Sequence, residues 1–343
     1  MSRHRIALVG LGMAVRPHAE SLADLDDRVE VAWAFSPSAE RRASFAADWT
    51  MPIADSLEQI LADDTVEAVM LLTPPNTHLE LATACARAGK HVLLEKPVEV
   101  TTERAEALVR ECRKAGVRLG LVLQHRFRPS GLRLAELLAD DRLGRLVGVD
   151  VSVANWRPQS YYDQPGRGTL ARDGGGVLIT QAIHTLDLAI ALLGLPTEVS
   201  AFAATSPVHE METEDIVAAA LRFPNGAIGT LCATTTAYPG YPERIFVIGE
   251  KGTASLVGTT LEVRYHDGTE FNEGEAGAGG GTGADPMAFP NDYHRSVLAD
   301  FLNAIEAGRD PKISGEEALR VHYLIDALLK SSELGRPAKV RQK

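Results

Sequence analysis

What this chain lacks narrows it first. Its 343 residues contain only three cysteines, Cys85, Cys112 and Cys232, far apart and with no C-x-x-C pair. So sparse and odd a set excludes a disulfide-stapled scaffold and a structural zinc, and suits a reducing compartment, with all three thiols expected as small buried apolar groups. Positive charge is in deficit: 35 Lys and Arg stand against 46 Asp and Glu, for a net charge of -11 and a pI near 5.4. That balance argues against nucleic acid or an anionic membrane as the partner. No segment reaches the roughly 18 unbroken apolar residues of a membrane-spanning helix, and no apolar h-region with a cleavage site opens the chain. A cytoplasmic protein is expected. There is no internal repeat, no heptad seam, no Asp/His/Cys spacing of a metal site and no serine–histidine–acid set. With 45% hydrophobic and 24% charged residues, the composition is that of a globular protein long enough for about two domains.

What is present begins at Ile6-Ala7-Leu8-Val9-Gly10-Leu11-Gly12. The apolar run suits a strand buried on both faces, and an amphipathic stretch from Val15 to Leu25 follows the glycines. Strand, glycine turn and helix together give a G-x-G pattern meaning. Gly10 permits a tight turn, and Gly12 lets backbone approach a pyrophosphate, with Leu11, Met13 and Ala14 completing the loop. The N–H groups opening the helix then face the anion. A third glycine, which would ease helix–strand packing, is missing; Val15 stands there.

Further strands are expected at Val29 to Phe35, Ala68 to Leu72, His91 to Leu94 and Arg118 to Leu123. Helices alternate with them at Ala39 to Trp49, Leu79 to Ala88 and Thr101 to Ala115, with Ser38 as an N-cap and Gly116 as a stop. This alternation predicts an α/β doubly wound parallel sheet, a dinucleotide-binding domain over residues 1–124. After Gln124 the pattern changes. Period-two runs and the turns Pro224-Asn225-Gly226 and His266-Asp267-Gly268 predict an α+β domain over 125–343 with a large, mostly antiparallel open sheet. A helix from Val177 to Leu193 interrupts that series, and the glycine-rich stretch Glu273 to Ala284 reads as a surface loop.

Four motifs recur in one order. They are the glycine turn, Thr73-Pro-Pro-Asn-Thr-His78, the run Ala88 to Pro97 ending in Glu95-Lys96-Pro97, and Gly174-Gly-Gly-Val-Leu-Ile-Thr-Gln-Ala-Ile-His184-Thr-Leu-Asp187. In this spacing the chain resembles the glucose–fructose oxidoreductase / inositol dehydrogenase / MocA (Gfo/Idh/MocA) family over almost its whole length. The resemblance implies a Rossmann domain, a second α/β domain whose sheet face often mediates oligomers, here a homodimer or homotetramer, and a nicotinamide cofactor. It also implies that Lys96 is catalytic and that His184 is the general acid/base.

The residues agree with those roles. Lys96 ends a buried strand, where ligands bind in open sheets, and an ammonium there can stabilise charge on a substrate oxygen. A lone histidine on an apolar helix face is more often a core residue, so His184 rests on the motif. Many sugar-oxidising members carry an aspartate four residues before that histidine; here Thr180 replaces it, and Asp187 is a candidate for the missing charge. Ser36 ends the second strand where an acidic residue would bind the ribose of NAD. With Arg41 and Arg42 nearby it favours NADP over NAD. Thr73, Pro74, Asn76 and His78, then Glu95 and Gln124, are the remaining expected cofactor contacts, turn and capping chemistry being the alternative for the first four. His125, Arg126, Trp156, Arg157, Tyr162 and Arg172 form an aromatic and basic set suited to an anionic polar substrate, or else to a surface or oligomer contact. The function expected is a dehydrogenase or reductase joining a secondary alcohol to a ketone on a sugar, cyclitol or related polyol, with or without a carboxylate. The alternatives are a nucleotide-sensing regulator and a glycosidase or lyase that recycles its NAD.

Overall fold

In the computed structural model, which describes residues 3–274 and 290–342, the apolar runs of the first half become five strands. They are β1 (His4–Val9), β2 (Val29–Phe35), β3 (Ala68–Leu71), β4 (His91–Leu94) and β5 (Leu119–Leu121). All pair in parallel, in the order β2-β1-β3-β4-β5. β3, β5 and the inner part of β1 are buried on both faces, which is why they read as unbroken apolar runs. The strand order reverses between β1 and β3, so their carboxyl ends flank the crevice at which such sheets bind ligands. Local signals set the helix ends. Ser38 Oγ and Thr101 Oγ1 each accept an N–H three residues on, from Arg41 and Arg104 at 3.3 Å, and Gly116 closes its helix at φ 72°.

Contacts divide the described chain into two units, 3–124 with 290–319 and 125–274 with 320–342. Residues 290–319, expected in the second domain, therefore pack with the first. The helix Asp292–Glu306 buries His294, Val297, Leu298, Phe301 and Leu302 along one face, and that face covers the helix Val15–Asp24. Asn291 and Arg295 donate to Asp24 at 2.9 and 2.8 Å. The Leu121 N–H donates to the Ile313 carbonyl at 2.9 Å. Periodicity marks an apolar face but not the element that covers it.

The second unit holds nine strands: β6 (Leu146–Ala154), β7 (Glu198–Ala204), β8 (Ile216–Arg222), β9 (Ile228–Thr234), β10 (Arg244–Gly249), β11 (Gly252–Val257), β12 (Thr260–Tyr265), β13 (Glu270–Glu273) and β14 (Ala338–Lys339). Their order is β13-β12-β11-β10-β6-β9-β8-β7-β14. β6 and β9 pair in parallel and the other neighbours antiparallel. The two edge strands, β13 and β14, were not expected, because one is polar and the other only two residues long. Gly226 and Gly268 take φ of 88° and 86° in the two hairpin turns, as those turns require.

Leu186 and Ile190 of the helix Ile183–Leu193 are buried over one face of this sheet, where they line a small cavity together with Val149, Val151, Leu221 and Leu231. Each such burial contributes roughly 1.5–3 kcal/mol. Among the described residues one helical stretch, Leu170–Leu193, is long and apolar enough to cross a membrane, and 67% of its apolar window is buried within the protein. Among the described residues the other sheet face is bare: Phe202 is 79% and Ile228 63% exposed. Cys232 lies on that face and is exposed, correcting the expectation of three buried thiols, because strand alternation turns it outward with Ile228 and Thr230. Cys85 and Cys112 are buried, and burial pushes each thiol up to about 12. The glycine-rich stretch lies, from residue 275 on, outside the described residues.

Candidate active site

The glycine turn follows β1. Gly10 has φ 106°, and a Cβ there would meet the Leu72 carbonyl carbon and oxygen at 2.7 Å. Glycine is therefore required where the ends of β1 and β3 come together. A Cβ on Gly12 would find open space, with Arg41 Nη1 nearest at 3.8 Å. The helix Val15–Asp24 opens without a side-chain cap and without an acidic residue in its first turn, so its leading N–H groups remain for an anion. Leu11 is buried and Met13 exposed beside them. Ser36 is buried at the end of β2, and Arg42 donates to its carbonyl at 2.6 Å. Arg41 stays exposed, with no ion pair among the described residues. The Gln124 amide oxygen is buried and has no hydrogen-bond partner among them. Open N–H groups, an uncommitted cation and an orphaned amide fit a dinucleotide phosphate and its polar ends.

β4 ends in Glu95 and Lys96. The Lys96 N–H donates to Glu95 Oε2 at 3.0 Å, and Glu95 Oε1 lies 2.7 Å from His18 Nε2. Burial would raise the Glu95 carboxyl, but the hydrogen bond and charge of His18, with Lys96 beside it, outweigh burial and hold it at about 2. Both its oxygens serve protein groups, so an expected cofactor contact is first a holder of the Lys96 turn. His78, expected at the cofactor, is fully buried, its ring nitrogens 3.0 Å from the Pro97 carbonyl and 2.9 Å from that of Thr73. Burial lowers its pKa despite those carbonyls. It ties the loop after β3 to the turn after Lys96. In that loop Thr77 donates to Thr73 Oγ1 at 2.8 Å, while Pro74 and Asn76 are exposed.

In the second unit the expected continuous helix starts with a π-turn, Leu178–Ala182, before Ile183–Leu193. Glu214 causes it to begin there. Its carboxylate accepts the N–H groups of Gly176 and Leu178 at 3.0 and 3.2 Å, and its carbonyl accepts that of Val177 at 2.8 Å. Burial raises the Glu214 pKa against those bonds. A Cβ on Gly176 would fall 1.8 Å from the Glu214 carbonyl oxygen. Such turns widen a helix locally and recur at functional sites. Thr180, inside it, donates its hydroxyl to the Gly176 carbonyl at 2.6 Å. Toward any other group that hydroxyl can only accept.

His184 follows, half-buried, its ring centroid 5.0 Å from that of His125 at an interplanar angle of 31°. Arg128 Nη2 lies 2.7 Å from His125 Nε2. A guanidinium only donates, so that nitrogen is the acceptor and His125 is the neutral Nδ1–H tautomer. Arg128 is in turn paired with Glu243.

The basic and aromatic set is largely engaged within its own unit. Arg126 makes a bidentate pair with buried Asp187, at 2.7 and 2.6 Å. Asp187, considered as a charge for His184, thus neutralises a guanidinium. Arg157 is buried and donates to Gln181 at 2.8 Å and to the Trp156 carbonyl at 2.7 Å. Tyr162 donates to Thr235 at 2.9 Å, and burial pushes its phenol up to about 12. Arg172 donates to the Pro165 carbonyl. Trp156 is half-buried, edge-on to Tyr238 at 5.5 Å. Sequence reasoning missed His18, His294 and Glu214, which lie far along the chain from the groups they hold.

A 2-1-3-4-5 parallel sheet with a phosphate-ready turn, joined to a large open sheet, defines a nicotinamide-dinucleotide oxidoreductase of α/β type. Residues 4–122 match the family described as "Oxidoreductase family, NAD-binding Rossmann fold", and residues 132–255 match "GFO/IDH/MocA C-terminal domain". The chain belongs to the Gfo/Idh/MocA family, as its motifs imply. It is 28% identical to a myo-inositol 2-dehydrogenase of Thermotoga maritima, over 98% of this chain and 99% of that one. It is 30% identical to a 1,5-anhydro-D-fructose reductase of Ensifer adhaerens, over 91% of each. The crystal structure of the WlbA dehydrogenase from Bordetella pertussis, in complex with NADH and UDP-GlcNAcA, is 30% identical and superposes with a TM-score of 0.84 over 100% of both chains.

Proposed function

We propose that this oxidoreductase interconverts a secondary alcohol and a ketone on a sugar, cyclitol or related polyol in the cytoplasm, with NADP preferred to NAD. The observation that carries the reading is Lys96, fixed at the end of β4 by Glu95 on one side and, through Pro97, by His78 on the other. The nicotinamide, when bound, accepts or returns the hydride. Lys96 donates to the substrate oxygen and stabilises charge developing there. His184 takes or returns the hydroxyl proton. Thr180, its own proton committed to Gly176, accepts a hydrogen bond and so orients rather than ionises.

Ser36 in place of an acidic residue, with Arg41 exposed, supports the 2′-phosphate of NADP. The complex of the related WlbA dehydrogenase with UDP-GlcNAcA supports a carboxylated substrate. Trp156 and Arg172 are the contacts we assign to it, with His125. The bare sheet face around Phe202 and Ile228 supports self-association through that face.

The test is a panel of myo-inositol, 1,5-anhydro-D-fructose, sugar acids and UDP-GlcNAcA with each cofactor, followed at roughly 340 nm where reduced nicotinamide absorbs. Lys96→Ala and His184→Ala are each expected to abolish turnover while nucleotide binding survives. Near-full activity in either variant removes that residue from the chemistry. Thr180 in place of a carboxylate favours a second reading, a nucleotide sensor; tight nucleotide binding without turnover across the panel would establish it.

A further inference from the structure

His18, Glu95 and His294 come from three distant parts of the chain, yet their nitrogen and oxygen atoms gather within 4.8 Å of one another inside the first unit. Such donors could hold a metal ion, but the hydrogen bonding accounts for the carboxylate without one. Glu95 Oε1 meets His18 Nε2 at 2.7 Å, and Oε2 accepts the Lys96 N–H at 3.0 Å. A cation would have to break the first of these bonds and stand next to the Lys96 ammonium. His294 contributes differently. Its ring meets that of His18 edge-on, at 5.1 Å and 88°. Burial, and then the charge of His18, depress it to about 3, so it is a neutral wall and not a second cation.

The position of His18 gives the cluster a direction. It is 2% exposed and sits in the first turn of the helix Val15–Asp24, the helix whose uncapped N–H groups follow Gly12. A carboxylate with one oxygen on that turn and the other on the amide of Lys96 joins the two mechanically. We propose that His18 and Glu95 are positioning residues that transmit dinucleotide binding at the glycine turn to Lys96. The proposal rests on the reading of Lys96 as a catalytic group. An anion settling on the first-turn N–H groups restrains that turn. His18 moves with it, Glu95 follows through a charge-assisted bond, and the Lys96 backbone follows Glu95. The link is only two hydrogen bonds long and partly buried, which limits how far solvent can dissipate it.

Amide hydrogen exchange on the full chain tests this without knowledge of the substrate, read on peptides covering residues 6–16 and 92–99, with and without saturating NADPH or NADH. In the wild type, nucleotide is expected to slow exchange in both peptides, by about tenfold at Lys96. His18→Phe fills the space without a donor; it should keep the response of 6–16 and lose most of that of 92–99. His18→Gln restores a donor and should restore the response. Should His18→Phe fail to fold, His18→Leu takes its place with the same expectation. A wild-type response at 92–99 in the apolar variant overturns the proposal. So does equal loss in His18→Gln, which would reduce His18 to packing, and so does wild-type protection of 6–16 without 92–99. If neither nucleotide protects 6–16, the dinucleotide reading itself falls, a separate outcome from the others.

Discussion

The two units handle polar chemistry in opposite ways. The first presents backbone: an uncapped helix start and a glycine turn whose geometry leaves no room for a side chain at Gly10. The second presents side chains and holds them by pairing, Arg126 with Asp187, Arg128 with Glu243 and Arg157 with Gln181. A backbone site needs little beyond correct local conformation. A site of paired side chains needs the whole unit folded around it.

The largest expected effect separates the two through their glycines. Gly10→Ala puts a Cβ 2.7 Å from the Leu72 backbone at a φ of 106°, and should weaken nucleotide binding about 100-fold or more in a fluorescence titration. Gly176→Ala displaces the Glu214 carbonyl and with it the start of the His184 helix. Turnover should disappear while nucleotide affinity stays within about threefold of wild type. Equal loss of nucleotide binding in both variants would abolish this division of duties.

Next in size is the buried pair of the second unit. Arg126→Ala removes the bidentate partner of buried Asp187, a cost of about 3–5 kcal/mol in urea unfolding. Arg126→Met combined with Asp187→Leu should recover most of it; no recovery would mean that the pair does more than neutralise itself.

Acid should strain both units, because each encloses histidine whose pKa burial lowers, His78 and His294 in the first and His322 in the second. Burial pushes His322 down to about 4, and His294, with the charge of His18 added, down to about 3. The unfolded chain takes these protons near 6.5 and the folded chain only far lower, so their stabilisation is complete above pH 6.5. It is lost as pH falls from there toward 4 for His322 and 3 for His294, by about 3 kcal/mol for His322. His322→Leu should flatten the pH profile of the second unit alone, seen as a split thermal transition near pH 4.5. A profile that keeps its slope would assign the acid sensitivity elsewhere. The smallest effect tests local capping in the first unit: Ser38→Ala should cost about 1 kcal/mol of stability with nucleotide affinity unchanged.

The same contrast decides how much could be read from sequence. Gly10, the β–α alternation, Ser38 and Gly116 are local statements of backbone conformation, and each appears in the structure where the residues put it. Lys96 and His184 were singled out by their motifs. The groups that hold them were not: His18 is 77 residues from Glu95, and Glu214 lies 38 from Gly176. Spacing along the chain carries no signal for such contacts. The π-turn escaped for a related reason, since Leu178 to Ala182 suits an ordinary helix until Glu214 claims its first N–H groups. Arg126 and Arg157 looked like ligands for an anion because charge is visible in a sequence and its internal partner is not.

The return of residues 290–319 to the first unit has a consequence for synthesis. Truncation after Gln124 would wet the flank of the Val15–Asp24 helix and strip Asp24 of Asn291 and Arg295. On the ribosome the nucleotide-binding half is begun first yet stays unfinished until Leu319 emerges, after the strands β6 to β13 of the other half have been made.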